Sequence, residues 1–485
     1  MKPPLGVKPD DYFRFIPSFI GTLLPGGQLS WSTNCFTQNK ATLDVNQANS
    51  TATLSIISTG KTSLLCDSGY LSAYVAGMSL DYFEEEGLHQ IQFSGPWLEE
   101  EYYDIAHNGI RIFNFTEGIT MTTESIFETV LLFFGGLVGA NVPEWTAEDN
   151  LAFLKDHMNL VMPERPVNRI DIPKSEIKSG DLLGVIRLDG LDPMLSWGMG
   201  SRTGHTCIAM WDNNNQLFVA ESTVNSAYWP TNGIQLTPWD TWMDQAQNAS
   251  YNVLHIPLDP LVASKFNASA AWEFFSTVEG LPYGFHNLFT GWIDTPEDNY
   301  PPPLTSQLVQ LLAPFAEWLL QKEIGIGQTY DFLTQGLNYR LGTKGLTLNQ
   351  AYMEASKRGI SFTELVTMPE QDSWTFVDSN GVVGPSMVCD VFVSSMWKVG
   401  GIFGDLKDSI QVTEFTDWDA YTLKIFDANY KRPAACVAAD PDIPFCQILG
   451  KYRMNLPDYN TYTPFPNMRQ KCPTLPPNYI KPPNC

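Results

Sequence analysis

Residues 203–222 read TGHTCIAMWDNNNQLFVAES, and this stretch decides how the chain is interpreted. Two apolar runs flank a turn cluster at 212–215, which predicts two antiparallel strands joined as a hairpin. The predicted turn centres near Asn213 or Asn214. Counting eight residues in either direction from Asn213 reaches His205 and Glu221, so we predict that these side chains lie directly or nearly opposite each other, within reach. A carboxylate there holds one tautomer of the imidazole and stabilises the imidazolium. Without Glu221, His205 reads more readily as an ordinary core or surface histidine.

A second stretch, residues 384–392, reads GPSMVCDVF and predicts the opening of a helix with Ser386 as its N-cap. Cys389 then lies in the first turn, where free N–H groups and the positive end of the helix dipole favour the thiolate. The alternatives are a buried structural cysteine or a disulfide partner. A thiol at a helix N-terminus and an imidazole on a neighbouring strand are the working parts of a thiol hydrolase.

Charge and hydropathy exclude some classes of partner. The 485 residues include 29 basic and 53 acidic side chains, which gives a formal net charge of −24. Such a chain repels nucleic acid and anionic membrane surfaces, so we predict neither as a partner. The longest apolar run, 129–142, has 14 residues and is too short to span a bilayer. The length allows two or three compact units.

We predict three regions. Residues 1–175 form a β-rich N-terminal accessory region with two helices, at 124–139 and 146–161, and with a hairpin turn at Asn108–Gly109. Residues 176–430 hold the candidate catalytic residues and carry a helical insertion at 291–383. Residues 431–485 form a Pro-rich, disulfide-bridged tail.

The insertion is either a lid or groove wall, or a structural elaboration that touches no substrate. Two capping-box patterns predict helices within it, Thr347 with Gln350 and Ser361 with Glu364.

The cysteines and sequons favour an oxidising, glycosylating compartment. With Cys389 as nucleophile and Cys207 as a strand residue beside the site, six cysteines remain for three bridges. We predict Cys35 with Cys66, by proximity in sequence, and the other four paired within the tail: Cys436, Cys446, Cys472 and Cys485. Four sequons are candidate N-glycosylation sites: Asn49, Asn114, Asn248 and Asn267. The protein is therefore predicted to be secreted or to lie in an endolysosomal lumen.

Metal and cofactor motifs are absent from the sequence. The six histidines show no HxH or HExxH spacing, and there is no CxxC pair, P-loop, GxGxxG or GxSxG. We therefore predict no metal and no cofactor. Cys207 is interpreted as an inert filler on the face of His205, with a bridge that disables the site as the alternative.

Five motifs occur in a fixed order along the chain: Gly180-Asp181 before a strand, Gly204-His205 opening the next, Glu221 ending the third, Gly280-x-Pro282-Tyr283, and Cys389 at a helix start. In this order the chain resembles the circularly permuted branch of the NlpC/P60 papain-like superfamily. That branch includes YiiX/YaeF-like bacterial proteins and, more distantly, lecithin–retinol acyltransferase. The resemblance covers residues 178–290 and 382–400.

The resemblance implies an α+β fold in which an antiparallel sheet packs on the cysteine-bearing helix. It implies that Cys389 is the nucleophile, that His205 is the general base and then the acid, and that Glu221 orients His205. Tyr283 would help to polarise the substrate carbonyl, and the N–H of Cys389 would be an oxyanion donor. Two features depart from the family pattern: Asp390 follows the nucleophile, and the insertion before it is large.

The predicted activity is cleavage of an amide bond, in a peptide or a peptidoglycan-type cross-link, through an acyl-enzyme on Cys389. Two alternatives stay open. The first is lipid deacylation or acyl transfer at the same site, with tryptophans lining an acyl groove: Trp197, Trp211, Trp229, Trp239 and Trp242. The second is a secreted structural or binding protein on a catalytically inactive papain-like scaffold.

Overall fold

The computed structural model describes residues 18–63, 68–74, 77–97, 99–115, 142, 144–224, 228–229, 231–284, 286–287, 327–360, 365, 368, 370–378, 380–464 and 480. The chain divides into two compact units. The described residues before Gly135 belong to the first, and those from Gly136 to Arg469 belong to the second. Residues 144–175, predicted to belong to the N-terminal region, thus fall in the second unit together with most of the predicted tail.

The first unit is built on two antiparallel four-stranded sheets, with strand orders β1-β8-β5-β6 and β2-β3-β4-β7 among its described residues. The strands are β1 (Ser18–Leu23), β2 (Gln28–Trp31), β3 (Phe36–Asn46), β4 (Thr51–Lys61), β5 (Ser68–Tyr74), β6 (Gly77–Phe83), β7 (Gly87–Ser94) and β8 (Ile110–Phe115). On β3 and β4, buried Leu43, Leu54 and Ile56 alternate with more exposed residues. This alternation is that of a sheet with one face in a core.

The predicted hairpin at Asn108–Gly109 is wrong. The segment before it is a helix, α1 (Glu99–His107), rather than a strand. The Asn108 and Gly109 N–H groups both donate to the Asp104 carbonyl, and Gly109 has φ +70°. Asn-Gly is therefore a helix C-terminus in the left-handed conformation that glycine favours. The second predicted helix is observed as α2 (Glu144–Met158), and the first, 124–139, lies outside the described residues.

The second unit is organised around a six-stranded antiparallel sheet of order β12-β11-β10-β9-β13-β16. Its strands are β9 (Leu182–Arg187), β10 (His205–Trp211), β11 (Leu217–Thr223), β12 (Gly233–Pro238), β13 (Tyr251–Ile256) and β16 (Cys446–Leu449). The helices along this part of the chain are α3 (Leu191–Met199), α4 (Trp239–Asn248), α5 (Pro260–Ala263) and α6 (Ala268–Val278). Leu183, Val185, Cys207 and Val219 share one core with Trp242 of α4.

The cysteine-bearing helix, α9 (Cys389–Val399), packs against β10 and β11. Its Phe392 ring meets Phe275 of α6, with the ring centroids 6.2 Å apart. The fold is thus mixed α+β with antiparallel sheets.

The described part of the insertion contains α7 (Gly327–Leu341), α8 (Leu348–Lys357) and the two-residue strands β14 (Phe376–Val377) and β15 (Val383–Gly384). The capping box of Thr347 and Gln350 is confirmed, whereas Ser361 and Glu364 lie outside the described residues. Near α7, His286 Nε2 lies 2.6 Å from Glu370 Oε1, and Arg340 donates to the same oxygen at 2.9 Å. These buried charges join the insertion to the segment that follows Tyr283.

α10 (Asp417–Thr422) lies just before the region predicted as a bridged tail, and that region contains α11 (Ala434–Ala439) and β16. Cys436 and Cys446 form a disulfide that joins α11 to β16, as predicted for cysteines of the tail. The backbone of β16 pairs with β13, so this segment completes the edge of the sheet. None of the helices in the described part of the chain combines the length and apolar character needed to cross a membrane.

Candidate functional site

The hairpin that carries His205 forms with a register slightly different from the predicted one. Ile208 lies opposite Ala220, so extending the ladder by one residue places Cys207, rather than His205, opposite Glu221. His205 still reaches Glu221 diagonally, with His205 Nε2 2.8 Å from Glu221 Oε2. The predicted imidazole–carboxylate contact therefore exists.

Glu221 is completely buried, and both of its oxygens are used. Oε2 contacts His205, and Oε1 accepts a hydrogen bond from Trp242 Nε1 at 2.8 Å. Trp242 of α4 thus fixes the carboxylate that fixes the imidazole. The sequence showed Trp242 only as one of several tryptophans, and no spacing rule connects α4 with β11.

The two nitrogens of His205 have different surroundings. Nε2 contacts Glu221 and Cys207, whereas Nδ1 has no hydrogen-bond partner among the described residues. The side chain keeps 10% of its surface exposed. Burial lowers the pKa of His205, but its hydrogen bond with Glu221 and the negative charges of Glu221, Asp192 and Asp417 outweigh it, so the pKa is raised overall. The imidazolium is therefore favoured.

Cys207 is the third member of this cluster. Its Sγ lies 3.3 Å from His205 Nε2 and 3.4 Å from Glu221 Oε2. The residue is fully buried, and its thiol is free. Burial, followed by the charge of Glu221, raises the pKa of Cys207 well above its usual value. Cys207 therefore forms no bridge, but it does touch the polar groups of the site.

Cys389 is the first residue of α9, and Val388, with an extended backbone, is the N-cap in place of the predicted Ser386. The Ser386 hydroxyl is buried without a hydrogen bond, so it does not cap the helix. The thiol of Cys389 donates to Asp417 Oδ1 at 3.5 Å and to Asp390 Oδ1 at 3.8 Å. We call Cys389, Asp390 and Asp417 the acidic cluster.

The surroundings of Cys389 oppose its ionisation. Burial, then the charges of Asp417 and Asp390, raise the pKa of the thiol well above its usual value, although backbone hydrogen bonds from Thr206 and Asp390 lower it. The helix N-terminus was predicted to favour the thiolate, but burial and two carboxylates outweigh that effect in this resting arrangement. Burial also raises the pKa of Asp417, to about 6.

Cys389 and His205 share no hydrogen bond, but the elements that carry them are in direct contact. Thr206, next to His205, donates from its hydroxyl to Asp417 Oδ1 at 3.3 Å. Ser222, next to Glu221, donates to the Met387 carbonyl at 2.8 Å. Thr206 and Ser222, the chain neighbours of His205 and Glu221, therefore contact the Asp417 partner of Cys389 and the segment that enters α9.

Tyr283 also lies at this junction. The N–H of Gly284 donates to the Met387 carbonyl at 3.0 Å, and the close approach of the Met387 backbone leaves no room for a Cβ at position 284. Tyr283 is buried, and burial raises its pKa well above its usual value, so its phenol keeps its proton. Tyr283 also lines a pocket together with Phe376 and Ser386.

The predicted modification sites have different surroundings. Asn49, Asn248 and Asn267 are exposed. Asn114 is buried, and its Nδ2, the atom that a glycan would occupy, donates to the Gly69 carbonyl at 3.1 Å. The folded first unit therefore does not present Asn114 for glycosylation.

Among the remaining predicted bridges, Cys35 is disulfide-bonded. Cys66, Cys472 and Cys485 lie outside the described residues.

Two sets of donor atoms in the described part of the chain are close enough to hold a metal ion. One is His205, Cys207 and Glu221, and the other is the acidic cluster; within each set the donors lie within 4.8 Å of one another. Comparisons of this chain with family models, with curated proteins and with solved structures gave no match.

Proposed function

We propose that this protein is a thiol hydrolase with a permuted NlpC/P60 papain-like core, in which Cys389 is the nucleophile, His205 the base and Glu221 the orienting residue. One observation carries the proposal: Glu221 Oε2 lies 2.8 Å from His205 Nε2, while His205 Nδ1 has no partner among the described residues. A carboxylate on one ring nitrogen directs that nitrogen to carry the proton and leaves the other as the proton acceptor.

The reaction starts when His205 Nδ1 takes the thiol proton of Cys389 and the sulfur attacks the substrate carbonyl. Glu221 stabilises the imidazolium, and Trp242 holds Glu221 in place through the second carboxylate oxygen. The imidazolium then returns the proton to the leaving amine, which frees the amine and leaves an acyl-enzyme. His205 next takes a proton from water as the water oxygen attacks the acyl carbonyl carbon. The bond between that carbon and the Cys389 sulfur then breaks, the acid leaves, and the imidazolium returns its proton to the thiolate.

The negative charge on the carbonyl oxygen needs donors. Cys389 is the first helical residue, so its backbone N–H has no partner within the helix and is available as an oxyanion donor. Tyr283 supplies a second candidate, because its raised pKa keeps the phenol as a donor.

Activation requires the Cys389 thiol to leave Asp417 and turn to His205 Nδ1. Catalytic hydrogen bonds often tighten only when substrate is bound. Protonation of Asp417, whose pKa is raised to about 6, removes one negative charge that opposes the thiolate. The base must be neutral to take the thiol proton, and because the pKa of His205 is raised, it becomes neutral only as the pH rises. The disulfide and the exposed sequons support our proposal of a secreted or endolysosomal protein with N-glycans.

The substrate we favour is an amide, in a peptide or a peptidoglycan-type cross-link. A specific observation supports lipid deacylation or acyl transfer as a second candidate. The pocket beside Tyr283 is lined by Leu281 and Phe376. Val382, which also lines this pocket, and the neighbouring Val383 keep 48% and 60% of their surfaces exposed. Apolar surface of this kind suits an acyl chain.

Labelling with iodoacetamide at neutral pH, with mass spectrometry to assign each thiol, tests the proposal. We expect Cys389 to react faster than Cys207, and His205→Ala to slow Cys389 by roughly 10²-fold, the usual contribution of a general base. Cys207→Ser is the matched control and leaves the rate at Cys389 within about twofold. Equal, slow labelling of both thiols would instead support an inactive scaffold.

A substrate panel then separates the two activities. Release of an amine from peptide and cross-linked peptide amides supports the amidase, whereas release of a fatty acid from phospholipid or acyl esters supports the deacylase. Cys389→Ser abolishes either release, because a serine hydroxyl is a far weaker nucleophile than a thiolate.

A further inference from the structure

The geometry points to a zinc-type metal site formed by His205, Cys207 and Glu221. These residues offer an imidazole nitrogen, a thiolate and a carboxylate oxygen, the three kinds of ligand that zinc takes in proteins. Two adjacent strands, β10 and β11, supply all three. Alternation places His205 and Cys207 on one face, and the ladder places Glu221 opposite Cys207.

The observed spacing is close to what a tetrahedral ion needs. Zinc–ligand bonds of about 2.0–2.3 Å separate two ligands by about 3.3–3.6 Å. The structure has 2.8 Å between His205 Nε2 and Glu221 Oε2, 3.3 Å between His205 Nε2 and Cys207 Sγ, and 3.4 Å between Cys207 Sγ and Glu221 Oε2. Two of the three separations already fit, and the third needs an opening of about half an ångström.

The surrounding residues also suit a metal site. Trp242 Nε1 holds Glu221 Oε1 at 2.8 Å, which leaves Oε2 free to bind the ion. Partners of this kind orient metal ligands and strengthen binding. Glu221 is only 1% exposed, whereas the His205 side chain is 10% exposed, so an ion enters on the imidazole side. Three protein ligands leave a fourth position for water or a substrate group.

A plain ion pair explains the contact between His205 and Glu221, but it does not explain a free thiol placed against both. The acidic cluster is the weaker of the two candidates. Its sulfur–oxygen distances are longer, 3.5 Å and 3.8 Å, and two of its three donors are carboxylates. Magnesium and calcium prefer carboxylate ligands and bind thiolates poorly, so this mixed set of donors suits neither ion.

Binding would also regulate the site, a consequence that rests on the proposed function. The ion takes the lone pair of His205 Nε2 and the thiolate of Cys207, and the displaced protons pass to solvent. A neutral imidazole bound through Nε2 carries its proton on Nδ1. That nitrogen can then no longer accept the proton of Cys389, so zinc inhibits the hydrolase.

Cobalt titration tests the site without any measurement of activity. The full-length protein is stripped with a chelator, titrated with Co²⁺ and followed by the thiolate-to-cobalt charge-transfer absorption. We expect one equivalent to produce the band, added Zn²⁺ to remove it, and Cys207→Ser to abolish it. Cys389→Ser is the matched control and retains it. Absence of the band, its survival in Cys207→Ser or its loss in Cys389→Ser would overturn the assignment.

A milder variant keeps the test sound if Cys207→Ser folds poorly. Trp242→Phe removes the hydrogen bond to Glu221 Oε1 and keeps an aromatic ring in the core, and we expect it to weaken Co²⁺ binding by about 10–100-fold. An unchanged affinity in folded Trp242→Phe contradicts the proposed role of Glu221 as a ligand.

Labelling of Cys389 separates this inference from the proposed function. If both hold, Zn²⁺ slows iodoacetamide at Cys389 in the parent protein but not in Cys207→Ala. A cobalt band together with labelling that does not depend on His205 keeps the metal site and rejects the hydrolase. Labelling that depends on His205 without any band keeps the hydrolase and rejects the metal site.

Discussion

The central sheet of the second unit contains two buried histidine–carboxylate pairs that are almost the same in length and different in role. His205 Nε2 lies 2.8 Å from Glu221, and His255 Nε2 lies 2.9 Å from Asp181. His205 is partly exposed, but both members of the second pair are completely buried. Asp181 also accepts from the Lys178 and Leu258 backbone N–H groups.

This difference shows that a buried histidine–carboxylate pair is not sufficient for a candidate catalytic site. His255 Nδ1 is buried without a partner, so it can reach neither solvent nor a substrate. No thiol makes a hydrogen bond to His255 among the described residues, whereas Cys207 lies beside His205 and α9 starts against Thr206. Access to the second ring nitrogen and a nearby thiol therefore separate a candidate catalytic pair from a structural one.

The largest expected effect is on stability, and we expect it to differ between the two histidine–carboxylate pairs. His255→Ala removes one member of a completely buried pair, so we expect the free energy of unfolding to fall by about 3–5 kcal/mol. His205→Ala leaves Glu221 bound to Trp242, and we expect a loss of about 1–3 kcal/mol. Urea unfolding followed by circular dichroism measures both. Equal losses would contradict the assignment of different roles.

The pH dependence of stability sharpens the comparison, because Asp192 and Asp417, two carboxyls with raised pKa values, act on His205. Burial raises the pKa of Asp417 to about 6, of Asp419 to about 7 and of Asp192 to about 8, from an unfolded value near 3.8. The folded state thus binds more protons than the unfolded state between pH 4 and 8, and stability falls as the pH rises through that window.

The raised pKa of His205 also makes stability fall as the pH rises. The stabilisation by the His205 imidazolium is complete below pH 6.5 and is lost as the pH rises through the pKa of His205 in the folded state. We expect the free energy of unfolding to be at least ~3 kcal/mol higher at pH 5 than at pH 8, measured by urea unfolding. Asp419→Asn serves as the control and flattens the profile. A protein more stable at pH 8 than at pH 5 would exclude these buried carboxyls as the main titrating groups.

Glu221→Gln tests whether the first pair has a chemical role beyond its structural one. The amide can still accept from Trp242, so the fold is retained, but it no longer stabilises the imidazolium. We expect iodoacetamide labelling of Cys389 to slow by about tenfold, which corresponds to about 1.4 kcal/mol. Trp242→Phe, which keeps the carboxylate, should give a smaller decrease. An unchanged rate in Glu221→Gln would leave Glu221 with a structural role like that of Asp181.

The smallest expected effect lies in the acidic cluster. Asp390→Asn removes one of the carboxylates that oppose ionisation of Cys389, so the thiolate forms more easily. We expect the rate of Cys389 labelling at pH 7 to rise by about fivefold. This corresponds to about 1 kcal/mol, which is the order of magnitude of the interaction energy between two neighbouring charges. The same substitution should leave Cys207 unaffected. Slower labelling would show that Asp390 helps the thiol to react.

The hairpin shows how much of the candidate site short-range sequence patterns can predict. Turn residues and alternation predicted strands that carry His205 and Glu221, and the two side chains are in contact. The turn centres at Asn214, the second of the two predicted positions, where Asp212 accepts from the N–H groups of both Asn214 and Gln216. Cys207 rather than His205 therefore lies opposite Glu221, a shift of two residues along β10. At Asn108–Gly109 the same kind of signal failed, since acidic residues before it begin a helix.

The sequence by itself determined that His205 and Cys207 share a strand face and that Cys389 lies in the first turn of a helix, because strand alternation and helical periodicity act over a few residues. Only the tertiary structure decided the partners of these groups. Trp242 reaches Glu221 from a separate helix, and Asp417 reaches Cys389 from 28 residues downstream. Burial and these distant carboxylates set the pKa of the thiol, and no local pattern encodes them.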